Sequence, residues 1–370
     1  ELENVGLQVL DDRIDGRGFL QTKGVGDAAT KQFDLQLSSA RLDLDKILLS
    51  SEKKEEEEKP PPDPKTFAGV SGHAAVKIGN VTYKKQLFQN VLADVTMKGD
   101  EIDVQTASIQ GLGGQIDAGG TRIKLAHPKE PWHIATKIRG IDLEKAAAMS
   151  SPKKVLAGKF DGNIVLDGTS HDLSDLTKSL SGVVDGNISG GKFYGKDIIG
   201  AAAAPVMSAI PAFRGKVTQG GETDLGQNLP FGITLKEGWA RLKAPLKVAT
   251  PQADLNFGGG VRLDGTLDMP GTVALTPAMV QQLTDGRVKL STNVPVGLRL
   301  VGPATKPGVT DIDAKSAVEA IAKAAGSSLI SSVLGGTGDQ KQQQAQSQAQ
   351  QAADKAKEEA ANKLKGLFGR

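Results

Sequence analysis

Residues 91–97 read Val91-Leu92-Ala93-Asp94-Val95-Thr96-Met97, and their alternation decides the fold class. Successive side chains on a strand point to opposite faces. Val91, Ala93, Val95 and Met97 therefore share one face, and Asp94 and Thr96 the other. The same period of two recurs in Ala75-Val76-Lys77-Ile78, Ile102-Asp103-Val104 and Trp132-His133-Ile134-Ala135-Thr136-Lys137-Ile138. One apolar face opposite one polar face is the mark of antiparallel meanders rather than of buried parallel sheets.

Outward from this stretch the pattern repeats. Val5–Leu10, Arg17–Lys23 and Phe33–Leu37 are predicted strands, separated by Gly and Asp clusters that serve as turns. Later strands are predicted at Phe231–Leu235, Ala240–Leu242, Leu246–Ala249, Val261–Leu267, Val288–Leu290 and Val294–Val301. Ile198–Ile210 is Ala-rich, contains Pro205 and reads as a short helical connection.

Two stretches break the β pattern. Residues 50–66 (SSEKKEEEEKPPPDPKT) join charge blocks to a proline run. Such a composition buries nothing and predicts a solvated, extended linker. Beyond Asp313, apolar residues at Val318, Ile321, Ala322, Ala325, Leu329, Ile330 and Val333 follow helical spacing, with Asp311 or Asp313 as cap. Gly335-Gly336 should end that helix, and a Gln/Ala/Lys/Glu tail follows.

The predicted organisation is therefore a strand-rich end of an upstream domain (1–49), a charged linker (50–66) and a meander repeat (67–151). A second meander with a helical connection (152–215), a C-terminal β unit (216–313), an amphipathic helix (314–335) and a low-complexity tail (336–370) complete it. Internal similarity supports the repeat: Ser71, Ile78 and Tyr83 match Ser181, Ile188 and Phe193 at one constant offset. Leu42-Asp43-Leu44-Asp45-Lys46-Ile47 likewise resembles Ile141-Asp142-Leu143-Glu144-Lys145-Ala146, each expected to open a short helix.

Composition bounds the function. Hydrophobic residues are 38% and aromatics 4% of the 370, with 45 glycines, which suits a thin sheet better than one thick core. Charge is balanced, 45 basic against 43 acidic residues, so no basic excess points to nucleic acid. The chain has no cysteine, which rules out disulfides and thiolate metal sites. It opens on Glu1 directly in strand-like sequence, as expected for a piece of a longer protein whose membrane anchor lies upstream.

No catalytic constellation emerges. His73, His127, His133 and His171 lack metal-helix spacing. Ser71 and Ser181 sit in Ser-Gly pairs read as turns, outside any nucleophile elbow. Gly258-Gly259-Gly260 leads into a strand rather than a helix, so it reads as a bend, not a phosphate loop. Trp132 and Trp239, each on a strand, suit either core packing or the rim of an apolar groove.

The ordered motifs Gly69-Val70-Ser71-Gly72, Ile78-Gly79-Asn80-Val81-Thr82-Tyr83, Gly111-Leu112-Gly113-Gly114, Ile141-Asp142-Leu143, Asp185-Gly186-Asn187-Ile188, Gly258-Gly259-Gly260-Val261 and Leu298-Arg299-Leu300-Val301-Gly302-Pro303 resemble the C-terminal region of AsmA-family proteins. The resemblance covers most of 67–313 and leaves out the Glu/Pro linker and the Gln/Ala tail. It implies a mainly β fold whose meanders form an elongated, curled groove. It also implies a periplasmic, inner-membrane-anchored protein of Gram-negative bacteria that moves phospholipid toward the outer membrane, without enzymatic activity or cofactor. Periodicity alone favours a β-sandwich, whose apolar faces pack on each other; the resemblance favours the open groove. Strand parity then nominates Val76, Ile78, Val91, Val95, Met97, Ile102, Val104, Ile134, Ile138, Ile164, Leu166, Ile233, Leu235, Val261, Leu263, Val296, Leu298 and Leu300 as lipid-lining residues. The competing reading is a scaffold for outer-membrane protein assembly that acts through exposed strand edges.

Overall fold

Strand pairing is local in the chain, with a departure from chain order at β14–β18. The computed structural model describes residues 2–24, 29–51, 63–126, 132–150, 153–168, 179–210, 215, 217 and 220–325. The Glu/Pro stretch at 52–62, His127, His171, the predicted helix beyond 325 and the tail lie outside the described residues.

β1 (Leu2–Val9), β2 (Asp12–Lys23) and β3 (Thr30–Asp43) form an antiparallel meander. α1 (Leu44–Ser51) and a 3-10 turn (Pro64–Phe67) follow, and β4 (Val70–Tyr83) then lies parallel to β3. Parallel neighbours require a crossover of a dozen or more residues, and residues 44–69 supply it. The antiparallel ladder resumes with β5 (Gln86–Lys98) and β6 (Glu101–Gly111). The short strands β7 (Gly114–Asp117) and β8 (Thr121–Lys124) lie end to end between β6 and β9 (Trp132–Asp142).

After α2 (Leu143–Ala148) come β10 (Leu156–Gly168) and β11 (Ser181–Tyr194). α3 (Ile198–Ser208) is followed by β12 (Glu222–Asp224) and β13 (Asn228–Lys236), which both pair with β11. Next come β14 (Trp239–Leu242), β15 (Leu246–Ala249), β16 (Ala253–Phe257), β17 (Gly260–Arg262) and β18 (Thr266–Leu275): β14 pairs with β13 and β17, β15 with β16, and both β16 and β17 with β18. α4 (Pro277–Leu283), β19 (Val294–Pro303), β20 (Gly308–Thr310) and α5 (Ala314–Ala325) complete it. Among the described residues the result is one mixed 20-stranded sheet, in which β3 and β4 are the parallel pair.

Each helix starts where a side chain satisfies its free amides. Asp43, Asp142, Asp197 and Asp313 accept from the first turns of α1, α2, α3 and α5, and Thr276 does so for α4. The cap of the final helix is thus Asp313. α3 is apolar nearly all round, and Ile198, Ile199, Ala202, Ala203, Val206 and Met207 are all buried. A helix without a polar face belongs inside a core. It packs with α5 against β18 and β19, where Val273, Leu275, Val280, Val296 and Ala317 are sealed from solvent.

Three local predictions are corrected. Val261–Leu267 is two strands, because Asp264 accepts from Thr266 N at 2.9 Å and Gly265 takes φ +88 in a tight turn. Val288–Leu290 is not a strand: Val288 N donates to Thr284 Oγ1 at the end of α4 (3.2 Å), so the segment serves the helix terminus. Ser71 and Ser181 lie within β4 and β11 rather than in turns, paired with Lys98 and Asp167. The triple glycine is a bend as expected, joining β16 to β17, with Gly258 N donating to Pro270 O at 2.9 Å.

Leu275→Ala should lower stability by about 2–5 kcal/mol, since the side chain is sealed and the site cannot collapse. Leu20→Ala, at a position 62% exposed, should change it by less than about 0.5 kcal/mol. Urea midpoints of the two variants test this contrast; equal losses would contradict the placement of the core.

Candidate functional site

Ladder partners in a sheet project to the same side, so register assigns faces without reference to burial. From β2 to β9, Leu20, Phe33, Gly72, Met97, Ile102, Ile123 and Trp132 are successive partners. A second row runs Leu35, Ala74, Val95, Val104. A third runs Ile134, Leu166, Gly182, Leu235, Ala240, Val261, Leu267. A fourth runs Thr136, Ile164, Val184, Ile233, Leu242. These rows join into one apolar face that extends from the first strands to the last.

Two bulges in β5 and β6 test this continuity. One lies between Gln89 and Leu92, the other between Asp94 and Val95, and they shift the register in opposite senses. Phe88↔Gly111 and Lys98↔Glu101 therefore keep the same offset, and Val95, Met97, Ile102 and Val104 stay on one side. In β9 a register shift beside Gly140 (φ +64) lets both Ile138 and Ile141 reach the apolar side, although they are three residues apart.

The face is thin because glycines leave room for rings to lie flat. A Cβ at Gly72 would run into Phe33, one at Gly111 into Phe88, and one at Gly168 into Trp132. The ring of Phe160 likewise fills the space over Gly162 and Gly186, and stacks on Phe231 with centroids 5.9 Å apart.

What covers the face changes along the sheet. At β18 and β19 it is covered by α3 and α5, which with α4 share one core with these strands. Over β4–β9, α1 and α2 bring Leu44, Ala146 and Met149 onto Val81, Phe88, Leu112 and Ile141 at one end of the strands. These helices have 8 and 6 residues and span about 12 and 9 Å at 1.5 Å per residue. β4 has 14 residues and extends about 46 Å at 3.3 Å per residue. Most of each strand's length is beyond their reach. Val76, Val95, Met97, Ile102, Val104, Ile134 and Leu166 are half-buried there and belong to neither buried cluster. Towards β1 the face is more open still, with Leu7 58% exposed.

The nominated residues thus fall into groups. The seven just named line the part that no described helix covers. Ile78, Val91, Ile138 and Ile164 pack against the edges of the two buried clusters. Ile233 and Val261 line an apolar pocket of about 300 Å³ under β13–β18, together with Leu300. Leu235, Val296 and Leu298 are buried, the last two in the core beneath the helices, and Leu263 lies in the turn after β17. Phe33, Leu35, Leu37, Ile123 and Trp132 share the uncovered face without having been nominated. The Phe33-x-Leu35-x-Leu37 alternation was a sufficient signal for the first three.

The opposite face is polar and laced with ion pairs. His73 Nε2 lies 3.1 Å from Asp94 Oδ1, and its Nδ1 lies 3.7 Å from Asp34 Oδ2, bridging β3, β4 and β5. His133 approaches Asp167 at 2.6 Å, and Arg299 grips Asp268 through two bonds of 2.7 and 3.0 Å. The hydrogen bond from Arg299 holds the Asp268 carboxyl below the usual range. Exposed pairs of this kind contribute little stability; they mark the face that meets water. Trp239 stands on this side, with Arg241 at 4.4 Å from its ring, whereas Trp132 stands on the apolar side. A depression of about 520 Å³ on the polar side of β2–β6 is lined by Asp15, Arg17 and Asp94, already held by Arg13, Gln36 and His73.

Among the described residues no group of three His, Asp or Glu side chains could hold a metal ion, and no helix is long and apolar enough to cross a membrane. Scans against protein-family models, curated proteins and solved structures return no match.

The hydrogen bond to Asp94, more than any other cause, raises the His73 pKa above the ordinary histidine value. A raised folded value means the pairing stabilises the fold below the unfolded pKa of about 6.5 and loses that effect as pH climbs through the folded one. NMR titration of the His73 ring should show the upward shift, and Asp94→Asn should reverse most of it. An unchanged titration in Asp94→Asn would refute the bridge.

Proposed function

We propose that this chain is a non-enzymatic cell-envelope module that binds or conducts phospholipid along its apolar β-face, held as an elongated, curled groove. The observation that carries this reading is the run of in-register apolar rows across β2–β10 that the short helices α1 and α2 cannot cover. Acyl chains are the ligand that suits such a wall. The ladder satisfies the backbone, so the wall offers hydrocarbon without exposed amides. Each methylene buried against it contributes about 0.8 kcal/mol. A wall without polar anchors holds a chain but does not fix its position, which suits passage along the strands as well as storage.

The AsmA resemblance supports the setting: a periplasmic module, tethered to the inner membrane by an upstream segment, that supports outer-membrane lipid homeostasis. The polar opposite face, with its paired charges, suits exposure to an aqueous compartment. A second reading has its own support. Among the described residues β1 pairs only with β2, and Val5 and Leu7 beside that edge are 48% and 58% exposed. A strand of an assembling outer-membrane protein could add there.

Native mass spectrometry with lipid extraction tests the first reading. The wild-type chain should carry several phospholipids. The combined Val95→Asp, Met97→Asp, Ile134→Asp variant should lose most of them while keeping its circular dichroism. A folded wild-type chain without lipid, crosslinking instead to barrel precursors through β1, would favour the second reading.

A further inference from the structure

The open face and the helix-covered core meet at a step. Phe160 lies across Gly162 and Gly186 and stacks on Phe231, and beyond this pair lies the pocket of about 300 Å³. Ile188, Phe231, Ile233, Leu242 and Val261 are typical of its wall, and no charged side chain lines it. Water in such a place lacks the two to four polar partners that hold an internal water. Sealed apolar cavities of about 150 Å³ take up benzene or xenon; this pocket is about twice that size and open on one side, so hydrocarbon can enter and displace weakly held water.

We infer that this pocket is a tail site: it holds the terminal segment of one unbranched hydrocarbon chain, with the polar end of the amphiphile left outside. A cavity of about 150 Å³ takes up the six carbons of benzene, so this one accommodates on the order of ten carbons of a chain. The inference rests on the lipid reading for its ligand class, and adds a fixed station where a chain end stops. Two features select a chain over a compact apolar molecule. Ile233 in the wall pairs with Val184 and Val184 with Ile164, so the pocket continues the open face in register and the rest of a long molecule has a surface to follow. The wall also lacks the few placed polar groups by which pockets orient compact ligands.

A chain-length series on the full chain tests this. Affinity for straight-chain carboxylates should rise about fourfold per methylene while the pocket fills. The gain per methylene should then break to a shallower slope at about ten carbons, where added methylenes lie on the half-exposed face instead of in the pocket. Ala240→Phe, on the pocket wall, should move the break to shorter chains. A photoreactive group at the chain terminus should label peptides containing Phe231 and Leu242, a readout independent of how the variant folds. A series without a break, or labelling confined to β4–β6, would overturn the tail site. The combined Val95→Asp, Met97→Asp, Ile134→Asp variant, which touches the open face and not the pocket wall, should keep the break and so separates the two readings. A persisting break with no phospholipid on the wild-type chain removes the groove and keeps the pocket. Phospholipid on the wild-type chain with no break does the reverse.

Discussion

Everything in this molecule depends on a backbone ladder closed between strands that lie near one another in the chain. Each strand finds its hydrogen-bond partners close by in the chain, and the widest jump is from β14 to β17. The sheet therefore needs no second sheet to satisfy its amides. In a β-sandwich the apolar faces are consumed by packing on each other. Here the face can be left over, and whether it is closed is decided by what the connections carry.

The connections differ in a way that composition explains. The link after β11 carries α3, whose Ile, Ala, Val and Met residues have no polar side to show to water, so it goes inside and closes the core. The links after β3 and β9 carry α1 and α2, with Asp45 and Glu144 in their first turns and too few residues to lie along a 14-residue strand. Among the described residues, one strand chemistry thus yields a helix-covered core at one end and a face that no described helix covers at the other.

Much of this was legible in the sequence. Period-two alternation identified the strands, and parity alone put Val76, Val95, Met97, Ile102, Val104, Ile134 and Leu166 on one face. Three things were not legible. The parallel pairing of β3 with β4 depends on where the chain re-enters after residues 44–69, which periodicity does not encode. The register shift at Gly140 changes parity within one strand, so that Ile138 and Ile141 face the same way. The burial of Val296 and Leu298 depends on α3 and α5 lying over them, and local pattern is identical for a covered strand and an open one.

That last ambiguity explains why glycine matters as much as the aliphatic residues. A strand face meant only for a core would be filled with bulk, because interiors are close-packed. Here Gly72, Gly168, Gly162 and Gly186 stand at face positions and leave their space to rings from neighbouring strands. The rings lie along the sheet instead of rising from it, so the wall stays apolar and shallow. Where Phe160 leans over two such glycines onto Phe231, the wall steps down into the pocket. The low aromatic content and the high glycine content of the chain are two sides of one arrangement: few rings, each laid over a gap, surface a long strip of sheet with hydrocarbon.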